Sequence, residues 1–180
     1  GYDRVIQGLY NYYKNNGKRK IYFHIVGDGR FVLDDYKQMV KSLNLDDCVF
    51  FYGRKLGKEL DEIYNKCNLG IDSLGRHRSN VTYNSSIKGK EYLLKGLPII
   101  SGVKTELDNK DESSNFYFRV PADDSPVNLD DVIIFFDKVY KNDSLIIRNK
   151  IRNYAKANFD FAITFKPVID YIKSLVAEDL

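Results

Sequence analysis

Apolar positions along this chain recur with two periods, and the switches between them mark out its elements. In DRVIQGLYNYY (3–13), Val5, Ile6, Leu9, Tyr12 and Tyr13 share one face at helical spacing, which predicts an amphipathic helix. IYFHIV (21–26) is nearly continuously apolar, as strands buried on both faces are. It ends in Gly-Asp-Gly and yields to a helical repeat, VLDDYKQMVKSLN (32–44). CVFFYG (48–53) reads as a second strand and LGKELDEIYNKC (56–67) as a helix. NLGIDSL (68–74) predicts a third strand, GRHRSNVTYN (75–84) a polar loop, and SSIKGKEYLLK (85–95) a helix stopped by Gly96 and Pro98. Two strands follow, PIIS (98–101) and the weaker NFYFRV (115–120). The last third is helical, over 129–141, 144–158 and 160–176.

Strand and helix alternate, so the predicted fold class is α/β, a Rossmann-like open parallel sheet with helices on both faces and a helical C-terminal segment. The chain opens inside a helix, whereas a βαβ fold opens with a strand. We therefore expect residues 1–180 to be a single domain truncated at its N-terminus, with its first strand lying upstream.

Composition narrows the picture. At 43% hydrophobic and 14% aromatic residues the chain is globular. Its 28 basic and 25 acidic residues leave a net charge of +3, too balanced to argue for nucleic acid. Cys48 and Cys67 lack metal-like spacing, which favours buried thiols in a reducing, cytoplasmic compartment. No apolar run approaches the roughly 20 residues of a membrane span.

The candidate chemistry gathers where strands end. Gly27 and Gly29 close the first strand and turn backbone amides toward a ligand or merely make a tight turn; Val32 stands where a dinucleotide fingerprint needs glycine. The other strand ends, YGRKLG with Arg54 and Lys55, SLGRHRSN with Arg76 and Arg78, and SGVKTE, are glycine-rich or basic. In an open sheet these loops form one cationic rim at the carboxyl edge. Ser85 and Ser86 are N-cap candidates for the helix that follows, and Gly89 in its first turn leaves room for a ligand at the backbone. The amides there, the helix dipole and Lys88 favour an anion. Glu91 shares a face with Lys88 and Lys95, and spacing leaves two readings open: surface ion pairs or a functional carboxylate. His24 reads as a satisfied core residue and His77 as a loop residue within reach of a ligand. No Asp-x-Asp pair stands anywhere, which removes the usual metal-binding diphosphate clamp. The pairs Asp34–Asp35, Asp46–Asp47, Asp123–Asp124 and Asp130–Asp131 read as structural residues near helix starts.

In order and spacing, HIVGDG, then LNLDDCVFFYGRKLGKELDEIYNKCNLGIDSL, then SSIKGKEYLLKGLPIIS, then RNYAKANFDFAITFKPVIDYI resemble the C-terminal, donor-binding domain of the GT-B "group 1" retaining glycosyltransferases. The likeness covers nearly the whole chain. It implies an acceptor-binding domain upstream of Gly1 and a nucleotide-diphospho-sugar, of UDP or GDP type, held in the cleft between the two. It implies that Glu91 is the second glutamate of a Glu-x7-Glu motif and holds the donor ribose. Tyr83 occupies the place of the first, so the chain departs from the motif there. Ser85, Ser86, Ile87 and Lys88 fall at the diphosphate-binding helix start, with Arg76 or Arg78 adding charge. Gly27 and Gly29 join the nucleotide site, and Arg54–Lys55 lie on the loop whose backbone faces the base. No catalytic residue is assigned.

The implied activity is metal-independent, cofactor-free hexosyl transfer with retention, in a bacterial enzyme building a surface polysaccharide precursor. The acceptor would be saccharide or lipid-linked, and the full-length enzyme would be cytoplasmic or peripheral at the inner membrane face. The domain alone would bind donor without turnover. A sugar-nucleotide epimerase of the same fold, or a non-enzymatic Rossmann-like module, are the alternatives.

Overall fold

A computed structural model describes residues 1–29, 31–109, 113 and 115–178. Its elements follow the predicted order with shorter strands: α1 (Tyr2–Lys14), β1 (Phe23–Ile25), α2 (Phe31–Ser42), β2 (Val49–Phe51), α3 (Gly57–Lys66), β3 (Gly70–Ile71), α4 (Ile87–Leu94), β4 (Ile99–Ser101), β5 (Tyr117–Arg119), α5 (Leu129–Val139), α6 (Ser144–Phe159) and α7 (Phe161–Glu178). Short 3₁₀ turns at Arg76–Ser79 and Glu106–Asn109 lie in the loops after β3 and β4.

All strand pairs are parallel, as the βαβ pattern requires. The expected single sheet comes instead as two pieces. Among the described residues β1 pairs only with β2, while β3, β4 and β5 form a separate three-stranded sheet. Helices cover both faces. On one, Val5, Ile6 and Leu9 of α1, Val40 of α2 and Phe135 of α5 pack with Phe23, Ile25 and Val49. On the other, Leu93 of α4 and Ile151, Tyr154 and Ala155 of α6 enclose Ile99, Phe116 and Tyr117. α7 extends from α6 with Phe161, Tyr171 and Ile172 exposed. No helix among the described residues is long and apolar enough to cross a membrane.

Helix α1 is pinned closely to the segment before α5. A methyl group at Gly8 would lie 2.4 Å from the Val127 carbonyl oxygen, and the Val127 N–H donates to the Arg4 carbonyl at 3.0 Å. Gly8→Ala is thus expected to lower stability. The overpacking cost of about 1–3 kcal/mol outweighs the roughly 1 kcal/mol that alanine gains in helix propensity. Urea denaturation measures the balance, and a variant at least as stable as the parent would show that α1 is free to lift off.

Two of the four aspartate pairs stand elsewhere than expected. Asp34–Asp35 and Asp130–Asp131 do open α2 and α5. Asp46–Asp47 form a turn into β2, and Asp123–Asp124 sit in the loop before α5, where they bind side chains from α1 and from the loop after β3. Their roles are still structural.

Candidate functional site

The site is built from the carboxyl ends of the parallel strands. The first strand end is held to the second by two bonds: the Tyr52 N–H donates to the Ile25 carbonyl at 3.0 Å, and the Gly27 N–H to the Gly53 carbonyl at 2.8 Å. Both glycines have positive φ, +135° and +65°, a backbone that side chains resist, so these turns need glycine for their shape. Gly29 is exposed beyond Gly27, and Arg54 is exposed beyond Gly53. Lys55 turns back along α3 and bonds Glu59 at 2.7 Å.

The start of α4 is the focus. Ser86 is the N-cap, its Oγ accepting from the Gly89 N–H at 3.2 Å. Ser85, the other capping candidate, is used differently: it donates to Glu106 at 3.0 Å and accepts from Lys90 at 2.7 Å. Lys90 in turn pairs with Glu106 at 3.1 Å. Among the described residues no acceptor takes the amide N–H of Ile87 or Lys88. Ile87 is 84% exposed, and the two unpaired amides lie at the positive end of the helix dipole.

Gly89 does not leave room on that side. Its α-carbon faces inward, and an added methyl would touch Asp72 and Ile99 at 3.5–3.6 Å. Those are ordinary van der Waals distances, and position 89 falls on the buried side of the helix, toward the sheet.

Lys88 is half-buried, 3.9 Å from Asp72 and 5.9 Å from the centre of the Tyr2 ring. Burial pulls its ammonium below the usual lysine value, and Asp72 opposes that shift. Asp72 itself is 1% exposed, and neither of its carboxylate oxygens has a hydrogen bond among the described residues. Arg76 is exposed and close enough to Lys88 to repel it. Arg78 is engaged elsewhere: it binds Asp3 and Asp124, each at 2.6 Å, and His77 shares Asp124 at 3.0 Å. Its charge is already matched by two carboxylates, so Arg76 is the guanidinium of this loop with no ion pair among the described residues.

The open question about Glu91 is answered in part. It pairs with neither lysine on its face: Lys88 approaches Asp72, and Lys95 reaches Asp61 on α3 at 2.5 Å. Glu91 lies beside Tyr64 of α3. Burial first, and then this carboxylate, push the Tyr64 phenol above its ordinary value. Tyr83 is half-exposed in the strand-like approach to α4, where it bridges to Lys104. His24 is a satisfied residue as expected, with Nδ1 2.8 Å from the Tyr52 hydroxyl.

Sequence reasoning missed Asp72, Tyr64 and Tyr2. The signal for Asp72 was present, an acidic residue inside the apolar run LGIDSL. Tyr64 and Tyr2 carried none, because they reach α4 only through the packing of α3 and α1 beside it.

No protein-family model matches the chain, and no curated protein sequence does either. Solved structures do. The Anabaena protein Alr3699/HepE, determined in complex with UDP, superposes on 97% of this chain with a TM-score of 0.70 at 17% identity. Its complex with UDP-glucose gives 0.69 at 15%. A glycosyltransferase from Rickettsia africae matches over 96% of the chain (TM-score 0.69, 14% identity). Sucrose-phosphate synthase from Thermosynechococcus elongatus matches over 99% (0.66, 16%). The chain spans 44–45% of the length of these proteins. The fold of the chain therefore matches half of the GT-B glycosyltransferase fold.

Proposed function

We propose that this chain is the donor-binding, C-terminal half of a retaining glycosyltransferase that uses a nucleotide-diphospho-sugar. The observation that carries the reading is the start of α4, where two open amides and Lys88 sit at the carboxyl edge of a parallel sheet. The fold is one whose solved counterparts include a UDP complex. In this reading the Ile87 and Lys88 amides bind the diphosphate, shaped by the Ser85–Ser86 cap. Lys88 and Arg76 add charge, with Arg78 orienting the loop through Asp3 and Asp124. Glu91 accepts from the ribose hydroxyls, and the turns at Gly27–Gly29 and Arg54–Lys55 flank the base.

Transfer breaks the bond between the anomeric carbon and the diphosphate oxygen and forms one to an acceptor oxygen on the same face, whose hydroxyl proton passes to the departing diphosphate. The leaving diphosphate carries the electron pair away, and the charge it develops is what the α4 amides and Lys88 stabilise. Neither metal nor cofactor is required of this half, since the nucleotide-sugar is a substrate. The acceptor, a saccharide or lipid-linked polysaccharide precursor in a bacterial cytoplasm or at the inner membrane face, meets the donor across a cleft whose other wall lies outside this chain. The domain alone therefore binds donor and does not turn it over.

Calorimetric titration with UDP, GDP and their glucose conjugates tests the reading. Lys88→Ala and Glu91→Gln are each expected to weaken the preferred nucleotide about tenfold, the loss of one charge-assisted contact, with folding unchanged. Lys88→Ala should also flatten the salt dependence. No binding of any of these ligands at millimolar concentration, or unchanged affinity in both variants, would overturn it.

A further inference from the structure

We propose that Asp72 is a positioning residue for the anion site at α4: its buried carboxylate balances the charge of Lys88 and holds that side chain beside the helix start without consuming its N–H donors. The inference rests on the donor-binding reading above and adds to it a residue that never touches the nucleotide.

Asp72 stands where an apolar residue would be ordinary. It follows β3 directly, its N–H donating to the Ile100 carbonyl at 2.9 Å, and it is 1% exposed. The first turn of α4 covers it at Gly89, where an added methyl would meet the carboxylate at 3.5 Å. Tyr2 of α1 and Tyr92 of α4 are close enough to feel its charge. A buried carboxylate is costly unless it is paired, and neither of its oxygens has a hydrogen bond among the described residues. Lys88 is the only cation within ion-pair distance of it among those residues.

The separation of the pair, 3.9 Å, lets the charges attract but is too long for a hydrogen bond. Neighbouring cations are spent differently: Lys90 on Glu106 at 3.1 Å, Lys95 on Asp61 at 2.5 Å and Arg78 on Asp3 at 2.6 Å. Lys88 makes no such close pair among the described residues, so its ammonium keeps its three N–H groups for an incoming anion. Asp72, sealed beneath the helix, acts only through it. Burial pulls the Lys88 ammonium down, Asp72 pulls it up, and Arg76 from the loop after β3 pulls it down again. From α1 the Tyr2 ring stands 5.9 Å from Nζ and the Gly1 ammonium adds repulsion. On its own helix Glu91 lies beside Tyr64 instead. Asp72 is the one anion in this set that favours the charged lysine.

Asp72→Asn keeps the shape and removes the charge, and the test compares it with the parent chain in two ways. In carbon-13 lysine NMR without nucleotide, the Lys88 signal, assigned by its loss in Lys88→Arg, should titrate at a lower pH in the variant. In calorimetry with UDP and GDP, the ratio of parent to variant affinity should be near or below unity at neutral pH. It should climb to about tenfold as Lys88 loses its proton in the variant, the loss of one charge-assisted contact. A packing role gives a ratio that does not change with pH, because the titrations of the ligand and of Gly1 are common to both chains. Should Asp72→Asn fail to fold, the parent alone decides: the carboxyl carbon signal of Asp72 must move as Lys88 titrates. A Lys88 titration left unmoved by Asp72→Asn, an affinity ratio flat with pH, or an Asp72 signal that does not respond to Lys88 overturns the proposal. A parent that binds neither nucleotide overturns the donor-binding reading and the role of this pair with it. An unmoved Lys88 in a chain that does bind removes the role of Asp72 alone.

Discussion

Arg4→Met is expected to destabilise the protein by about 3–5 kcal/mol, the cost of leaving three carbonyls without the donors that satisfy them. Arg4 is 1% exposed on the inner side of α1. Its Nη1 donates to the Leu74 carbonyl at 2.7 Å, its Nη2 to Pro121 at 2.9 Å and its Nε to Ser125 at 2.7 Å. Asp123, 3.5 Å away and largely exposed, supplies only modest countercharge. The fork of donors thus ties three loop carbonyls to one helix, a geometry that a lysine ammonium cannot copy. Methionine keeps much of the volume, so the loss would come from the stranded carbonyls rather than a cavity. Urea denaturation of Arg4→Met and Arg4→Lys gives the measurement. Losses below 1 kcal/mol in both would show that the clamp is incidental. The consequence reaches the site, because Leu74 immediately precedes the loop that carries Arg76 and Arg78.

The second large effect concerns the opposite layer. Phe116→Ala should cost about 3–5 kcal/mol through lost burial and the cavity left behind. Phe116 is 2% exposed and meets the Tyr154 ring edge-on at 4.7 Å between centroids. It sits where β5 begins, among Leu93 of α4, Ile99 of β4 and Ile151 of α6. These are the residues that hold α4 against the sheet, so under the proposed function nucleotide affinity should fall together with stability. Phe116→Leu, which retains most of the volume, should recover more than half of both. An alanine variant that melts with the parent would show that this layer collapses around the gap without cost.

The elements themselves were legible because their signals are local. Periodicity placed α1 and α3–α6 to within a few residues, and Ser86 with Gly96 and Pro98 bounded α4 through capping chemistry that needs no other part of the chain. Strand lengths were overestimated. Apolar runs such as IYFHIV extend past the residues that find a ladder partner, and only Phe23–Ile25 pair.

The rim of the candidate site was legible in the sequence, and its wiring was not. The rim of glycine and basic turns follows from the rule that loops gather at the carboxyl ends of parallel strands. Which charges remain available there does not follow from it. Arg78 and Arg76 are two residues apart and equivalent on paper, yet one is bound by Asp3 and Asp124 from distant segments and the other is free of ion pairs among the described residues. Lys88 and Lys95 flank Glu91 at helical spacing, yet each turns to an aspartate on another element.

By itself, then, the sequence determined the α/β class, the order of elements and the start of the helix proposed to bind an anion. Each rests on spacing within a dozen residues. Only the tertiary structure decided that Glu91 lies against Tyr64, that Gly89 faces inward, and that the sheet divides between β1 and β3. Those outcomes depend on which elements lie side by side, and long-range neighbours leave no mark in local spacing.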